Sequence, residues 1–365
     1  DTTNTLDSIT VSDCTLDPAF NSATTEYSCT VKNSVTNVTV NATATSTKSK
    51  VRGLGSKDLV EGKNTLPIRV IAEDGSEKIY NVNVTRKGEG KELKSEIMKN
   101  TVITADPTLT NSSNNTKDES GLYKSTDTNT GEATYYFRGN VENNYVSFAG
   151  FTWRIVRINE DRTIRIVMQD GINDNANIRF NLNNDDNHNY TYMYYTNSNA
   201  KTTLESWYQT NIGSKADLAK NVASGAYYCE QAKVKYSDSW TSGNATMITY
   251  TSYTPDFKCS SDGNGKGVVS SSVGLLTYDE VVYAGGYYAQ NNSSYYLNNP
   301  AIYWCTMSPV GFSGSTSGIW YIDNNGHISL YNATGSIKLR AVLNLKADIQ
   351  ISDGDGTKEN PFVVE

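Results

Sequence analysis

Histidine and cysteine are scarce in this chain, and their scarcity limits the chemistry it can perform. The 365 residues include two histidines, His188 and His327, and five cysteines, at positions 14, 29, 229, 259 and 305. None of the cysteines forms a C-x-x-C pair, so we expect no zinc site. Four of the cysteines form two locally spaced pairs with one left over, a pattern typical of an oxidising, extracellular compartment.

Positive charge and long apolar runs are also lacking. Lys and Arg total 32 against 39 Asp and Glu, giving a formal net charge of −7. Nucleic-acid backbones are bound by clustered Lys and Arg, and no such cluster occurs, so we expect no nucleic-acid partner. No apolar run approaches the roughly 18–20 residues that cross a bilayer, so the sequence predicts no membrane span.

Tyrosine, by contrast, is abundant. The chain holds 25 Tyr, and aromatic residues make up 10% of it, although mean hydropathy is −0.53. Disordered chains are poor in aromatics, so this composition indicates a folded protein with a polar surface. Thr and Tyr suit the half-buried face of a sheet, and the length favours two domains.

Residues 1–86 alternate apolar and polar positions in the manner of half-buried strands. Examples are VTVNA (38–42) and IYNVNV (79–84), bounded by turns rich in Gly, Asn and Asp. Val38, Val40 and Ala42 share one face of the first strand. Several short strands without a credible helix predict an all-β, immunoglobulin-like sandwich.

The order of these strands and turns resembles a known family. LDSITVSDCTLDPAFNSATTEYSCTV, VTNVTVNATAT and EGKNTLPIRVIAEDGSEKIYNVNVTR together resemble the cadherin-like β-sandwich domain of bacterial surface proteins over residues 5–86. In that family the module is a spacer or adhesive repeat. Cys14 and Cys29 are an addition to the pattern; on the loop-closure model, a disulfide closing about 15 residues stabilises by roughly 3 kcal/mol.

The chain changes character after this domain. Residues 87–100, KGEGKELKSEIMKN, are charged and carry no aromatic residue. Domain boundaries commonly lie in such stretches, so we predict a linker ending in a short helix that starts near Lys91. The second domain then covers residues 101–365.

Strand patterns and helix-start signals mix in the second domain. Residues 148–168 predict a hairpin with its turn at 159–162, and strands resume after residue 300. Helix starts are marked by three capping pairs: Thr202 with Glu205, Ser214 with Asp217, and Thr277 with Glu280, the last helix closing at Gly285. The domain is therefore predicted to be α+β.

This half is similar, over residues 118–364, to a family of uncharacterised bacterial surface proteins. The shared elements include LESWYQTNI, the paired Cys229 and Cys259, GLLTYDEVVYAGG, YWCTMSP and IKLRAVLNLKADIQISDGDGTKENPFVV. The C-terminal block of that family is similar to the C-type-lectin-like and sulfatase-modifying-factor folds. The resemblance implies a C-type-lectin-like domain, a scaffold that hosts sugar binders, protein binders and a few enzymes.

Cys305 with His327 is the one Cys–His arrangement near the C-terminus that could supply a nucleophile. Trp304, Met307 and Pro309 neighbour the cysteine, and no nearby Lys or Arg lowers the pKa of its thiol. Sulfatase-modifying factors use a redox-active cysteine pair, and nothing here supplies a partner for Cys305. We expect a buried, unreactive free thiol, with an exposed thiol that pairs with another chain as the alternative.

Two acidic features could support other chemistry. Asp279 and Glu280 are adjacent on a predicted helix, where they serve its N-terminal dipole better than a glycosidase reaction. Asp353, Asp355 and Glu359 surround two glycines and could converge on calcium, although Gly-Asp stretches more often form plain turns. The stretch 169–189 is predicted to be a solvated loop, with ion binding as its alternative.

Glycan binding would use exposed aromatic rings together with Asn and Asp side chains. Tyr-rich segments at 190–196, 285–297 and 320–322 supply both residue types. The candidate ligand-binding residues are Trp304, Trp320, Tyr287 and Tyr288. Alternatively, these aromatics cover sheets and keep their polar ends in water.

These features predict an exported, non-catalytic cell-surface protein of a Gram-positive bacterium, located at the cell surface or cell wall. Its second domain would act in adhesion or recognition, binding carbohydrate or a host or bacterial surface protein. A structural cell-wall or pilus-type spacer is the alternative, and an enzyme on a lectin-like scaffold is the third.

Overall fold

The computed structural model describes residues 1–109, 118–182, 194–230, 255–259, 268–288, 290–313 and 316–364. The chain divides into two compact units, Asp1–Gly90 and Lys91–Glu365. This boundary corrects the predicted linker, because residues 91–97 form a strand and a helix of the second unit. Leu93 and Ile97 lie four residues apart, so both are on one face of that helix. Burial of this face in the core of the second unit holds the helix there, although the residues between them are charged or polar.

The first unit consists of seven strands in two sheets. The strands are β1 (Leu6–Val11), β2 (Glu26–Val31), β3 (Asn37–Ala44), β4 (Lys50–Arg52), β5 (Gly55–Asp58), β6 (Gly62–Ile71) and β7 (Glu77–Arg86). One sheet has the order β1-β3-β5 and the other β2-β7-β6-β4. All pairs are antiparallel except β2 with β7, which is parallel.

The alternation predicted for the first unit is present in its core. Val38 and Val40 of β3 are fully buried, and Ala42 packs partly buried against the same core. On β7, Tyr80, Val82 and Val84 form the matching buried row. Burial of one face of each sheet against the other is the reason that the period-2 pattern predicted these strands.

The second unit is built mainly from strands. These are β8 (Lys91–Glu92), β9 (Val102–Ile103), β10 (Gly121–Ser125), β11 (Thr134–Arg138), β12 (Tyr145–Phe148), β13 (Phe151–Ile158), β14 (Ile164–Met168), β15 (Ile178–Arg179), β16 (Tyr227–Cys229), β17 (Val268–Ser270), β18 (Tyr287–Tyr288), β19 (Trp304–Ser313), β20 (Thr316–Ile322), β21 (His327–Asn332), β22 (Ser336–Ile337), β23 (Val342–Leu345), β24 (Gln350–Asp353) and β25 (Phe362–Val364).

A ten-stranded sheet forms the centre of the second unit. Its main path is β8-β24-β25-β12-β13-β11-β10-β9, and β14 joins β13 to β23. Strand β24 is antiparallel to both β8 and β25, whereas β25 runs parallel to β12. Strands β13 and β14 form the predicted hairpin, and both of its faces are buried from Trp153 to Ile158 and from Ile164 to Met168, so three arginines lie inside the unit together with the predicted apolar row.

A separate four-stranded sheet has the order β18-β21-β20-β19. A turn at Asp323–Gly326 joins β20 to β21, and the Asp323 carboxylate accepts hydrogen bonds from the backbone N–H groups of Asn325 and His327. These bonds stabilise the turn locally, which is why its sequence predicts it.

The helices are short: α1 (Leu93–Ile97), α2 (Ile172–Asn175), α3 (Asn199–Tyr208), α4 (Ala216–Ala219) and α5 (Tyr278–Ala284), with a π-helical turn at Gln209–Gly213. In α2 the residues Asn173, Asp174 and Asn175 have φ of 51°, 53° and 61°, a left-handed turn that Asn and Asp tolerate best. Within the described ranges, no helix is long and apolar enough to cross a membrane.

Of the three predicted helix caps, one is present, one lies at a different residue and one is absent. The capping box of Thr277 and Glu280 is present, and Gly285 ends α5 in the left-handed conformation at φ 118°. Helix α3 begins earlier than predicted, because the hydroxyl of Ser198 accepts a hydrogen bond from the Lys201 N–H. Helix α4 has no side-chain cap, so the predicted role of Ser214 there was wrong.

Candidate functional site

The four aromatic residues predicted to bind a ligand lie largely inside the second unit. Trp304, Trp320 and Tyr287 are each 1% exposed, and Tyr288 is half-buried with its ring edge-on to Trp320 at 5.5 Å. This corrects the prediction for the three buried residues, which cannot stack on a sugar. Tyr303, the residue before β19, is 49% exposed, whereas Trp304, Cys305 and Thr306 are all buried, so β19 is enclosed on both faces here.

Cys305 is a free, fully buried thiol. Burial raises the pKa of this thiol well above its usual value, so it remains protonated and is a poor nucleophile. The Nδ1 atom of His327 lies 3.5 Å from the Asp323 carboxylate, within the β20–β21 turn. The two predicted disulfides are present, Cys14–Cys29 and Cys229–Cys259, with Cα–Cα distances of 5.7 and 5.3 Å.

Glu280 is paired within the protein interior. Its Oε1 lies 3.2 Å from Arg157 Nε and 2.8 Å from Arg165 Nε, while its Oε2 accepts the Thr277 N–H. Burial alone would raise the pKa of Glu280, but the two guanidinium groups and the Thr277 N–H together lower it. The carboxylate therefore serves the packing of α5 against the central sheet.

The acidic turn near the C-terminus satisfies its own backbone. Asp353 accepts the Gly354 N–H, and Asp355 accepts both the N–H and the hydroxyl of Thr357. These bonds are those of the plain turn that was the favoured prediction. In the part of the chain that the structure describes, no three His, Cys, Asp or Glu residues are placed to hold a metal ion, so Asp353, Asp355 and Glu359 do not form the alternative calcium site. Residues 183–193, which include parts of the predicted loop 169–189 and segment 190–196, lie outside the described residues.

A cleft of about 540 Å³ opens on the second unit between the β12–β13 hairpin, the segment after α5 and the β20–β21 turn. We call it the asparagine cleft. Six carboxamides line it, Asn140, Gln169, Asn291, Asn298, Asn324 and Asn325, together with Tyr145, Tyr295, Tyr296 and Arg154. Asp and Glu are missing from this lining, although the chain as a whole is acidic.

Arg154 forms one wall of the asparagine cleft. It is paired across the β12–β13 hairpin with Tyr145, and its guanidinium carbon lies 3.8 Å from the centre of that ring. Its Nε donates to Asn144 Oδ1 at 2.7 Å and its Nη2 to the Val141 carbonyl at 2.7 Å. Tyr296 packs on it from the other side at 5.2 Å. These contacts hold the guanidinium in one place.

The opposite wall depends on a close approach of two backbones. The Asn292 N–H donates to the Asn325 carbonyl at 3.1 Å. Gly326 has φ +73°, and a Cβ there would lie 1.9 Å from the Asn292 carbonyl oxygen. Only glycine fits at this position, which brings the segment that carries Tyr295 and Asn298 against the β20–β21 turn.

Three polar atoms in the lining have no partner within the described protein. They are Gln169 Oε1, the Tyr296 hydroxyl and Asn298 Oδ1, and each is buried. A buried acceptor or donor that lacks a hydrogen bond costs about 1–3 kcal/mol. Such groups are normally satisfied, by solvent or by a ligand. All three atoms are shielded from solvent, so they belong to side chains of the lining without facing the open cleft.

A second cleft of about 450 Å³ lies beside the first. It is lined by Phe151, Trp207, the left-handed turn α2 and Asp170, the residue that follows Gln169 of the asparagine cleft. The Asn299 carboxamide donates to both the Gln169 carbonyl and the Asp170 carboxylate, which fixes the shared wall.

Sequence patterns missed most of the asparagine cleft. The segment 285–297 was identified as a ligand-binding candidate, and it supplies Asn291, Tyr295 and Tyr296. Arg154 lies in the run FTWRIVRI, and a charged residue within so apolar a strand is the one local signal that could have indicated it.

Comparison with known proteins identifies the first unit only. Residues 6–87 match the family model of the cadherin-like beta sandwich domain, which confirms the family resemblance of this part of the chain. Comparison with curated proteins and with solved structures gave no match. The C-type-lectin-like assignment of the second unit therefore stays a prediction.

Proposed function

We propose that this chain is an exported bacterial cell-surface protein whose second unit binds a glycan in the asparagine cleft without catalysing a reaction. The cleft carries this proposal. Each carboxamide offers both donors and an acceptor, which suits the dense hydroxyl groups of a sugar. The tyrosine rings offer apolar faces with a polar edge. Gln169, Tyr296 and Asn298 each carry a polar atom that is unpartnered among the described residues but shielded from solvent, so a ligand hydroxyl reaches it only after the side chain turns toward the cleft.

The size of the cleft favours a glycan over a protein partner. Small-molecule sites are commonly clefts of about 300–1,000 Å³ with a few convergent polar groups, and the asparagine cleft of about 540 Å³ falls within that range. A stable protein interface needs roughly 800 Å² on each partner, a larger and flatter surface than such a cleft provides.

The extracellular, Gram-positive cell-surface setting is also part of the proposal. A cadherin-like domain together with two disulfides is consistent with an oxidising exterior, where small and polar domains gain from cross-links. The absence of catalysis is supported by the enclosed Cys305 thiol and by the pairing of Glu280 with two arginines. A purely structural wall or pilus-type spacer is the second candidate, favoured by the cadherin-like first unit.

A glycan array probed with the full chain tests the proposal. We expect binding to a defined set of glycans and, in titrations with a positive glycan, about tenfold weaker binding by Asn298→Ala, since a lost hydrogen bond in a buried site costs about 1–3 kcal/mol. Asn177→Ala is the matched control, because Asn177 is exposed, does not line the cleft, and accepts a hydrogen bond from the Lys338 ammonium group. Failure of the wild type to bind any glycan would favour the spacer. Equal affinities of the two variants would place binding outside this cleft.

A further inference from the structure

Five described arginines are buried in the second unit, and they differ in how their charge is balanced. Arg138 lies 2.7 Å from the Asp118 carboxylate, and Arg157 and Arg165 share Glu280. Arg154 and Arg340 have no Asp or Glu carboxylate within 4.0 Å among the described residues. These two are the arginines at the asparagine cleft.

Arg340 lies directly behind the wall of the cleft. Its Nε donates to the Met168 carbonyl and its Nη1 to the Leu297 carbonyl, both at 2.8 Å, so it joins the residues just before Gln169 and Asn298. Its guanidinium carbon lies 4.7 Å from the Trp304 ring. Its Nη2 is buried without a hydrogen-bond partner among the described residues. All of its contacts are therefore with neutral groups.

The two guanidinium groups repel each other. Burial, and then the nearby charge of Arg154, lower the pKa of Arg340 to about 10, so both side chains are still charged at neutral pH. Glu142 and Asp170 are the nearest carboxylates that favour the charged forms, but neither is within ion-pair distance, and Asp170 already accepts from Asn299. A buried charge that lacks a counter-ion is costly, and two adjacent ones are more so.

We infer that the ligand supplies the missing negative charge, so that the asparagine cleft binds an acidic glycan whose sugar carries a carboxylate or another oxyanion. The inference rests on the proposed function and narrows its ligand class. Arg154 lines the cleft, and its Nη1, held only by a 3.5 Å contact with the Tyr296 carbonyl, is the guanidinium nitrogen that can donate to an oxyanion. The positive charge of Arg340, next to the cleft wall, attracts the same oxyanion. The exposed carboxamides of Asn140, Asn291 and Asn325 then bind the hydroxyl groups of the same sugar.

Matched ligand pairs test this inference on the full chain. Acidic glycans that bind on an array are compared by calorimetry with their methyl esters, and sulfated glycans with their unsulfated forms. We expect the neutral member to bind about 10- to 100-fold more weakly, the effect of losing a charge-assisted hydrogen bond. The ester pair and the sulfate pair distinguish a carboxylate ligand from a sulfate ligand.

Two variants complete the test. Glu142→Gln removes an exposed acidic residue near Arg154, and it should strengthen binding of the acidic member about twofold without changing that of the neutral member. Arg154→Lys keeps the charge but loses the planar guanidinium group, so it should weaken binding of the acidic member and leave binding of the neutral member unchanged. Tryptophan fluorescence checks that this variant is folded.

The outcomes separate the two proposals. Equal affinity for the charged and neutral members, or binding of neutral glycans alone, would overturn the inference and leave glycan recognition in place. A chain that binds neither class would overturn both.

Discussion

Glu280 gives the sharpest test of how the second unit is held together. The substitution Glu280→Gln keeps the shape of the side chain, and its amide oxygen can still accept the Thr277 N–H that caps α5. What it removes is the negative charge between Arg157 and Arg165, whose side chains are 9% and 3% exposed. Breaking a buried ion pair by removing one partner costs about 3–5 kcal/mol, because the remaining charge stays buried.

The distribution of tryptophan makes this measurable in the full chain. All five tryptophans lie after residue 152, and residues 1–90 contain none. Tryptophan fluorescence during urea unfolding therefore follows the second unit alone, and the midpoint and slope give its free energy of unfolding.

Glu205→Gln provides the matched control. Glu205 pairs with Lys201 at 2.6 Å on the same face of α3, but its side chain is 44% exposed. Exposed pairs spaced i,i+4 contribute about 0.3–0.5 kcal/mol, so this variant should be nearly as stable as the wild type. If Glu280→Gln lowered the free energy of unfolding no more than Glu205→Gln, the buried triad would not stabilise the unit and the reasoning would fail.

Four further predictions follow from the same structure. The pKa of Glu280 is lowered in the folded protein, so the charged carboxylate stabilises the second unit fully above the unfolded pKa of 4.5, and this stabilisation is lost as pH falls from there through the folded pKa. In urea titrations, the difference in free energy of unfolding between wild type and Glu280→Gln should therefore shrink as pH falls below 4.5. Cys305 should resist thiol reagents in the native protein and give one equivalent of free thiol after denaturation; labelling of the native protein would contradict its burial. Replacing Cys14 and its disulfide partner by serine should destabilise the first unit by about 3 kcal/mol in thermal unfolding followed by circular dichroism, whereas an unchanged transition would show that the closed loop does not matter. Gly326→Ala should destabilise the second unit more than Gly131→Ala in the same urea assay, since both have positive φ but only Gly326 meets a backbone oxygen; equal losses would argue against the close approach at the cleft.

Local patterns predicted those parts of the fold that are determined locally. The β13–β14 hairpin and the capping box of α5 depend on residues within a few positions of one another, so the sequence contains what specifies them. In the first unit, Val38 and Val40 alternate with exposed neighbours because each sheet buries one face only. The stretch 87–100 was predicted only in part: the unit boundary and the short helix near Lys91 are present, but residues 91–97 belong to the second unit, since Leu93 and Ile97 bury a helix face although charged residues outnumber them.

The ligand-binding prediction was wrong for Trp304, Trp320 and Tyr287 because these rings lie inside the packed unit. Strand β19 is buried on both faces from Trp304 to Val310, and the aromatic composition of the stretch does not reveal such enclosure. No local sequence pattern predicts the asparagine cleft as a whole. Its walls come from residues as far apart as Asn140 and Asn325, which only the packed sheets bring together.

The two ends of the second unit have a mechanical consequence. The chain enters through β8 and leaves through β25, and both strands are antiparallel to β24 between them. Strands β8 and β25 therefore run in the same direction, so a pull on Lys91 against Val364 draws them in opposite senses along their length. The hydrogen bonds on both sides of β24 are then loaded in shear, all at once. Tension between Lys91 and Val364 is therefore resisted by the paired edges of β24, and it reaches the asparagine cleft through β25 and its neighbour β12, which carries Tyr145.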